Sequence, residues 1–248
     1  MTDYVLITGG TGGIGAACAR LLATHGYSVI LSGRDAGTGE RLAEELQNAT
    51  FVESDLSRSE AARYLANRAC EISDGRLAGL INNAGVGARS RFGETTESLC
   101  DDVLSLNLRA PIMLTTYCLP ALRAANGSIV MISSIAGKTG EEGLALYTAS
   151  KAGLLGLTKA LALEIAPEVR VNAICPGQIE TTMMARTLSI PGRRQLLESR
   201  IPAGRLGSPE DIAEAAYWLI SPRSQFVNGD VITVDGGETA GLRNPREH

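Results

Sequence analysis

Short apolar runs bounded by turn residues alternate along this chain with longer stretches in which apolar positions recur every three or four residues. The short runs read as buried strands, and the longer recurrence marks helices with one buried face. Strands are predicted at 4–7, 28–32, 50–53, 77–81, 128–132, 169–174 and 230–234. Helical patterns cover 14–22, 39–47, 59–72, 96–125 and 146–166. Pro111 and Pro120 are kinks or boundaries in the fourth, and Pro167 closes the fifth. A further helix starts at Pro209, with Ser208 before it and Glu210 and Asp211 in its first turn. Strand-helix alternation of this kind specifies an α/β fold, a doubly wound, seven-stranded parallel sheet with helices on both faces.

The stretch Thr-Gly-Gly-Thr-Gly-Gly-Ile-Gly at 8–15 joins the first strand to the first helix. Glycines at 9, 13 and 15 permit a tight turn, close approach of backbone to a ligand and close packing of the helix on its strand. The unpaired N–H groups and positive dipole end of that helix suit a pyrophosphate, which makes this a Rossmann-type dinucleotide site. No linker divides residues 1–248, so a single NAD(P)-binding domain is expected. The segment 178–208, polar and irregular, with Pro191, Pro202, Arg193, Arg194 and Arg200, is read as a substrate lid. A polar tail at 238–248 is expected to fray.

Composition narrows the chemistry. An apolar share of 44% suffices for a core, and a net charge of −4 argues against nucleic acid or an anionic membrane as the main partner. No apolar run approaches the roughly 18 residues of a membrane span, and no basic leader precedes the first strand. A cytoplasmic location is expected, and five unclustered cysteines fit reduced thiols there. The two histidines, His25 and His248, leave a zinc site or a Ser-His-Asp triad without its imidazole, so no metal is expected. Proton transfer must then rely on tyrosine, lysine or a carboxylate.

Candidate groups lie at predicted strand ends. Gly33 and Arg34 follow the second strand, where an acidic residue would hold the ribose hydroxyls of NAD; an arginine there accommodates a 2′-phosphate and favours NADP(H), with Asp35 as the competing ribose ligand. Asn82-Asn83-Ala84-Gly85 follows the fourth strand, and Ser133 and Ser134 follow the fifth. Tyr147 and Lys151 are four apart and share a helix face. An ammonium close to a phenol stabilises the phenolate and lowers its pKa, so the pair is the leading candidate for acid-base work. Gly137-Lys138-Thr139 imitates the end of a phosphate loop, but Ile132 stands where that loop needs glycine.

Taken together, Thr8-Gly9, Gly13-Ile14-Gly15, Asp55-Leu56, Asn82 to Gly85, Asn107, Ser134, Tyr147-Thr148-Ala149-Ser150-Lys151, Pro176-Gly177 and Val234-Asp235-Gly236-Gly237 resemble the short-chain dehydrogenase/reductase family over nearly the whole chain. The resemblance implies reversible hydride transfer between a nicotinamide and an alcohol or carbonyl carbon. Tyr147 would be the general acid/base, Ser134 would polarise the substrate oxygen, Lys151 would hold the nicotinamide ribose and lower the tyrosine pKa, and Asn107 would hold a water in a relay to Lys151. The family's serine-to-tyrosine spacing selects Ser134 over Ser133. The resemblance places the cofactor against Gly9, Thr11, Gly13, Ile14, Gly15, Arg34, Asp55, Leu56, Asn83, Ala84, Gly85, Tyr147, Lys151, Pro176, Gly177, Ile179 and Thr181.

Within the family, Gly204-Arg205-Leu206-Gly207 and the closing Asp-Gly-Gly resemble 3-oxoacyl-carrier-protein reductases, though sugar, polyol and steroid dehydrogenases share them. Gly12 stands where many NADP-dependent members carry a basic residue, which leaves Arg34 alone. Docking of a carrier protein needs basic residues at the entrance; Glu164, Glu168, Ala124 and Ala125 do not supply them, whereas Arg89, Arg91, Arg193 and Arg194 could. Enoyl reductases resemble the chain less, because their tyrosine-to-lysine spacing is longer. The substrate is thus a small alcohol, ketone or acyl thioester. Glu141 and Glu142 beside the pocket hint at a polar or cationic one. A homotetramer, or a homodimer, follows from the resemblance, with 96–125 and 146–166 as the shared face. The alternative of another class is a catalytically silent dinucleotide-binding partner or sensor.

Overall fold

The computed structural model describes residues 3–241. Seven parallel strands, β1 (Tyr4–Thr8), β2 (Ser28–Gly33), β3 (Ala49–Glu53), β4 (Leu77–Asn82), β5 (Ser128–Ile132), β6 (Arg170–Pro176) and β7 (Val231–Val234), form one sheet in the order β3-β2-β1-β4-β5-β6-β7. The predicted Rossmann-type sheet is therefore present. Its strands read as unbroken apolar runs because both faces are covered. In β1, Leu6 packs with α3 (Ala61–Ile72), α5 (Ala110–Ala125) and α7 (Ala145–Glu164). Its neighbours Val5 and Ile7 point the other way, toward α1 (Gly13–Thr24), α2 (Ala36–Leu46) and α10 (Pro209–Ile220). Two-residue periodicity thus divides one strand between two cores.

The helix predicted over 96–125 is three pieces: α4 (Glu97–Leu104), a π-helical segment Ser105–Arg109, and α5. Pro111 sits in the first turn of α5, where its missing N–H costs nothing, and Pro120 lies inside the helix without ending it. The second helix starts at Ala36, three residues before the expected position, because Asp35 caps it. The segment 178–208 carries more structure than the sequence suggests: a 3₁₀ turn at Thr182–Met184, α8 (Ala185–Leu188) and α9 (Arg193–Arg200). Leu197, Ile201 and Leu206 bury one another there, a satellite core too short to show a helical period. A one-turn helix, α6 (Ala136–Thr139), also escaped the sequence reading. Residues 238–241 are not frayed, since Asp235 accepts from the Gly237 and Thr239 amides at 2.8 Å each. The rest of the predicted tail, 242–248, lies outside the described residues.

Candidate active site

β1 has β2 on one side and β4 on the other, so the winding direction reverses beside it and a crevice opens at the carboxyl ends. A groove of about 290 Å³ occupies this position, lined by Gly9, Thr11, Gly12, Gly33, Arg34, Asp55, Leu56, Ala84 and Gly85 among others. Gly12, extended at the N-terminus of α1, offers no side-chain cap to the first helical amides. Gly9 (φ +61°) and Gly13 (φ +50°) adopt left-handed backbone, and a Cβ on Gly15 would stand 2.2 Å from the Gly9 carbonyl oxygen. The turn is held from below. Thr8 Oγ1 accepts from the Asn83 and Ala84 amides at 3.0 Å each, while Asn83 Nδ2 donates to the Thr8 and Gly9 carbonyls at 2.9 and 3.1 Å. The Asn83 side chain therefore stitches β4 to the glycine turn, directly beneath the backbone that borders the groove.

The groove suits a dinucleotide. Its wall includes Ser32 and Ser54, whose hydroxyls are buried without a hydrogen-bond partner among the described residues. Such groups await a polar ligand or water. Arg34 lines the same end, whereas the Asp35 carboxylate caps α2 and is kept below the usual carboxylate range by the Thr38 hydroxyl and amide. Asp55 is likewise held low, by Ser57 first and then by the charge of Arg34.

The proposed catalytic side chains converge at the other end. Ser134 follows β5, and the Ile135 amide continues the sheet by donating to the Pro176 carbonyl at 3.0 Å. Gly137 lets α6 lie directly on α7, since a Cβ there would be 2.8 Å from the Lys151 carbonyl carbon. That approach brings Ser134 beside the Tyr147 phenol, and the Ser134 hydroxyl accepts from the Ala136 amide at 3.1 Å. Lys151 is buried, with its Nζ donating to the Ile132 carbonyl at 2.9 Å and lying 5.7 Å from the centre of the Tyr147 ring.

Burial pushes the Tyr147 phenol above its ordinary value against the opposing pull of Ser134, and Glu141 adds to the rise. The ammonium does not reverse this. Burial in turn brings Lys151 down to about 8, because desolvation penalises its charged form.

Asn107 is fully buried in the π-helical segment. Its Oδ1 accepts from the Val86 amide at 2.8 Å, and its Nδ2 donates to the Val86 carbonyl at 2.9 Å and the Ser150 hydroxyl at 3.1 Å. Asn107 and Lys151 both border Gly85: a Cβ there would meet Asn107 Oδ1 at 3.2 Å and Lys151 Nζ at 3.3 Å. Single π turns are concentrated at functional sites, where they re-aim a side chain.

The remaining predicted contacts are uneven. Thr181 places its methyl 3.2 Å from where a Gly13 Cβ would be, so segment 178–208 does reach the glycine turn. Ile179, by contrast, is buried in the apolar core and bridges to Gly207. Ile14, Pro176 and Gly177 do not line the groove, whereas Leu106 and Thr182 do. Their signal was absent from the sequence, because both are brought in by the irregular segments that periodicity misses.

The family model described as enoyl-(acyl carrier protein) reductase matches residues 9–239. A 3-oxoacyl-(acyl-carrier-protein) reductase of Aquifex aeolicus is 38% identical over 94% of this chain and 95% of its own. Among solved structures, a 3-ketoacyl-(acyl-carrier-protein) reductase from Brucella melitensis complexed with NADH is 30% identical, covering 96% of this chain and 98% of its own with a TM-score of 0.88. The Pseudomonas aeruginosa RhlG/NADP active-site complex is 32% identical, covering 95% and 96%, with a TM-score of 0.90. With a Rossmann-type sheet, a glycine-turn groove and a Ser-Tyr-Lys cluster at its end, the chain belongs to the short-chain dehydrogenase/reductase family of NAD(P)-dependent oxidoreductases.

Proposed function

We propose that this enzyme works as an NADP(H)-dependent carbonyl reductase, with 3-oxoacyl thioesters as its first substrate class. The observation that carries the reading is the approach of Tyr147 and Lys151 beside Gly85: Lys151 Nζ lies 5.7 Å from the centre of the Tyr147 ring and 3.3 Å from where a Gly85 Cβ would be. A phenol placed there can give a proton to a carbonyl oxygen during reduction and take it back from the alcohol during oxidation. Ser134 polarises that oxygen while Tyr147 donates to it. Lys151 and Asn107, which flank Gly85, hold the nicotinamide ribose and the proton path behind it. Gly9, Thr11, Gly13 and Gly15 hold the pyrophosphate, Asp55 and Leu56 border the adenine, and Arg34 takes the 2′-phosphate. When bound, the nicotinamide supplies the hydride.

An acyl substrate is supported by the Aquifex relative's name and by exposed apolar side chains, Met183 of segment 178–208 and Val86, the Met183 sulfur standing 3.7 Å from where a Gly87 Cβ would be. The four-residue step from Tyr147 to Lys151 along α7 favours reduction of a ketone over an enoyl double bond. Of the four arginines that could dock a carrier protein, Arg89 is paired with Glu141 at 2.5 Å and Arg194 with Glu180 and Glu198, which favours small thioesters over a carrier-bound chain. Segment 178–208 is the lid over the substrate end. The protein is a cytoplasmic homotetramer in this reading. Five free thiols, together with exposed Ile112 on α5 and Leu163 on α7, support it. The test is oxidation of NADPH by the purified protein with acetoacetyl-CoA. No turnover with that thioester, alongside turnover of a sugar or polyol, would replace the acyl reading.

A further inference from the structure

The 178–208 segment is a loop with a closed neck. The Gly207 amide donates to the Gln178 carbonyl at 2.9 Å and the Glu180 amide to the Gly207 carbonyl at 2.8 Å, so its two roots are paired. One side chain from outside the segment meets both its first root and the end of α9. Glu238, just past the Gly236-Gly237 turn that follows β7, has a carboxyl side chain only 5% exposed, with Arg200 Nη2 at 3.1 Å. Gln178 lies on its other side. Neither contact has the alignment of a full hydrogen bond, so both carboxylate oxygens are buried without one among the described residues.

The turn itself is packed against the end of the segment. The Ala203 amide donates to the Gly236 carbonyl at 3.0 Å, and a Cβ on Gly236 would stand 2.7 Å from the Ile201 side chain. A buried carboxylate held by charge and not by aligned hydrogen bonds is a poor structural cement, because its desolvation is incompletely offset. It is, however, a contact that can be released.

We propose that Glu238 is a positioning residue: through Arg200 at the end of α9 and Gln178 at the opposite root, its carboxylate ties the lid to the turn after β7 and sets how firmly the lid stays shut. The charged and titratable groups facing it are Arg200 from α9, Glu141 from the loop before α7, and Asp235 from its own turn; Lys138 of α6 faces Asp235 in turn. Burial, Asp235 and Glu141 together push Glu238 above the ordinary glutamate range against the pull of Arg200. Its charged form therefore costs the fold stability while it holds the lid.

That opposition separates this role from a merely structural one. In hydrogen-deuterium exchange on the full chain at pH 8, with no substrate added, Glu238→Gln should exchange about three- to fivefold faster over residues 182–200, the range open to a single ion pair. Exchange in the sheet strands should not change, and the melting temperature should stay level or rise. Arg200→Ala, a change at an exposed position, should match it in lid exchange alone, since it leaves the buried carboxylate without its counter-charge, and Arg200→Lys should restore most of the protection. After correction for intrinsic exchange, wild-type lid protection should fall as pH drops through the range where Glu238 protonates, while Glu238→Gln shows no such step. Unchanged lid exchange in both Glu238→Gln and Arg200→Ala overturns the proposal, as does a loss of protection spread over the sheet with a lowered melting temperature. The proposal rests on the lid reading above but is read without turnover, so a failed substrate assignment leaves it intact.

Discussion

The Asp35 carboxylate accepts from the Thr38 amide at 3.0 Å and from the Thr38 hydroxyl at 2.6 Å, which commits it to capping α2. Its neighbour Arg34 lines the groove. In the reading proposed above, Asp35 is thereby withheld from the ribose of NAD and Arg34 takes the 2′-phosphate of NADP(H). Arg34→Ala should weaken NADPH binding about tenfold or more, the scale of a charge-assisted hydrogen bond, and leave NADH nearly unaffected. Fluorescence titration with each dinucleotide checks this; tighter NADH binding by the wild type would reverse the assignment.

Tyr147→Phe keeps the ring in place and removes only the phenolic hydroxyl. Its loss should lower kcat by about 10²- to 10⁴-fold with dinucleotide affinity unchanged. Comparing turnover with NADPH titration in the same preparation checks it, and a variant with near-normal kcat would move the acid to another group.

Lys151 offers a test by stability instead of rate. Its pKa, 10.5 ordinarily, is brought down to about 8 in the fold, so between those values the unfolded chain binds more protons than the folded one. Wild-type stability should therefore climb relative to Lys151→Met as pH rises from 8 to 10.5. Parallel urea titrations at both ends of that window would measure the difference; a constant gap would mean that the ammonium is not desolvated.

The start of α10 predicts an acid limb. Asp211 accepts from Arg205 Nη1 at 2.7 Å and Nη2 at 2.9 Å and from the Ser208 amide at 2.7 Å, and is held at about 2 instead of 3.8. Its contribution is fully present above the unfolded value and is lost as pH falls from about 4 toward 2. Asp211→Asn should flatten the wild-type decline across that window in thermal melts. Ser208→Ala, which breaks the reciprocal cap, should cost about 1 kcal/mol at any pH.

What the sequence determined by itself was whatever rests on local periodicity and backbone geometry. The five inner strands were legible because a parallel sheet covered on both faces needs continuous apolar runs, the half-buried edge strands β3 and β7 because short apolar stretches there end in turn residues, and the glycine turn because a Cβ at Gly15 would collide with Gly9. Tyr147 and Lys151 were legible as a pair because a helix fixes their separation. Only the tertiary structure decided the rest. It assigned Asn83 to stitching, split 96–125 around a π turn that buries Asn107, and built helices inside 178–208 too short to show a period. It also set the protonation of the site. Spacing placed an ammonium beside a phenol, but the burial that raises Tyr147 and lowers Lys151 comes from elements distant in the chain, and no local pattern records how much water they exclude.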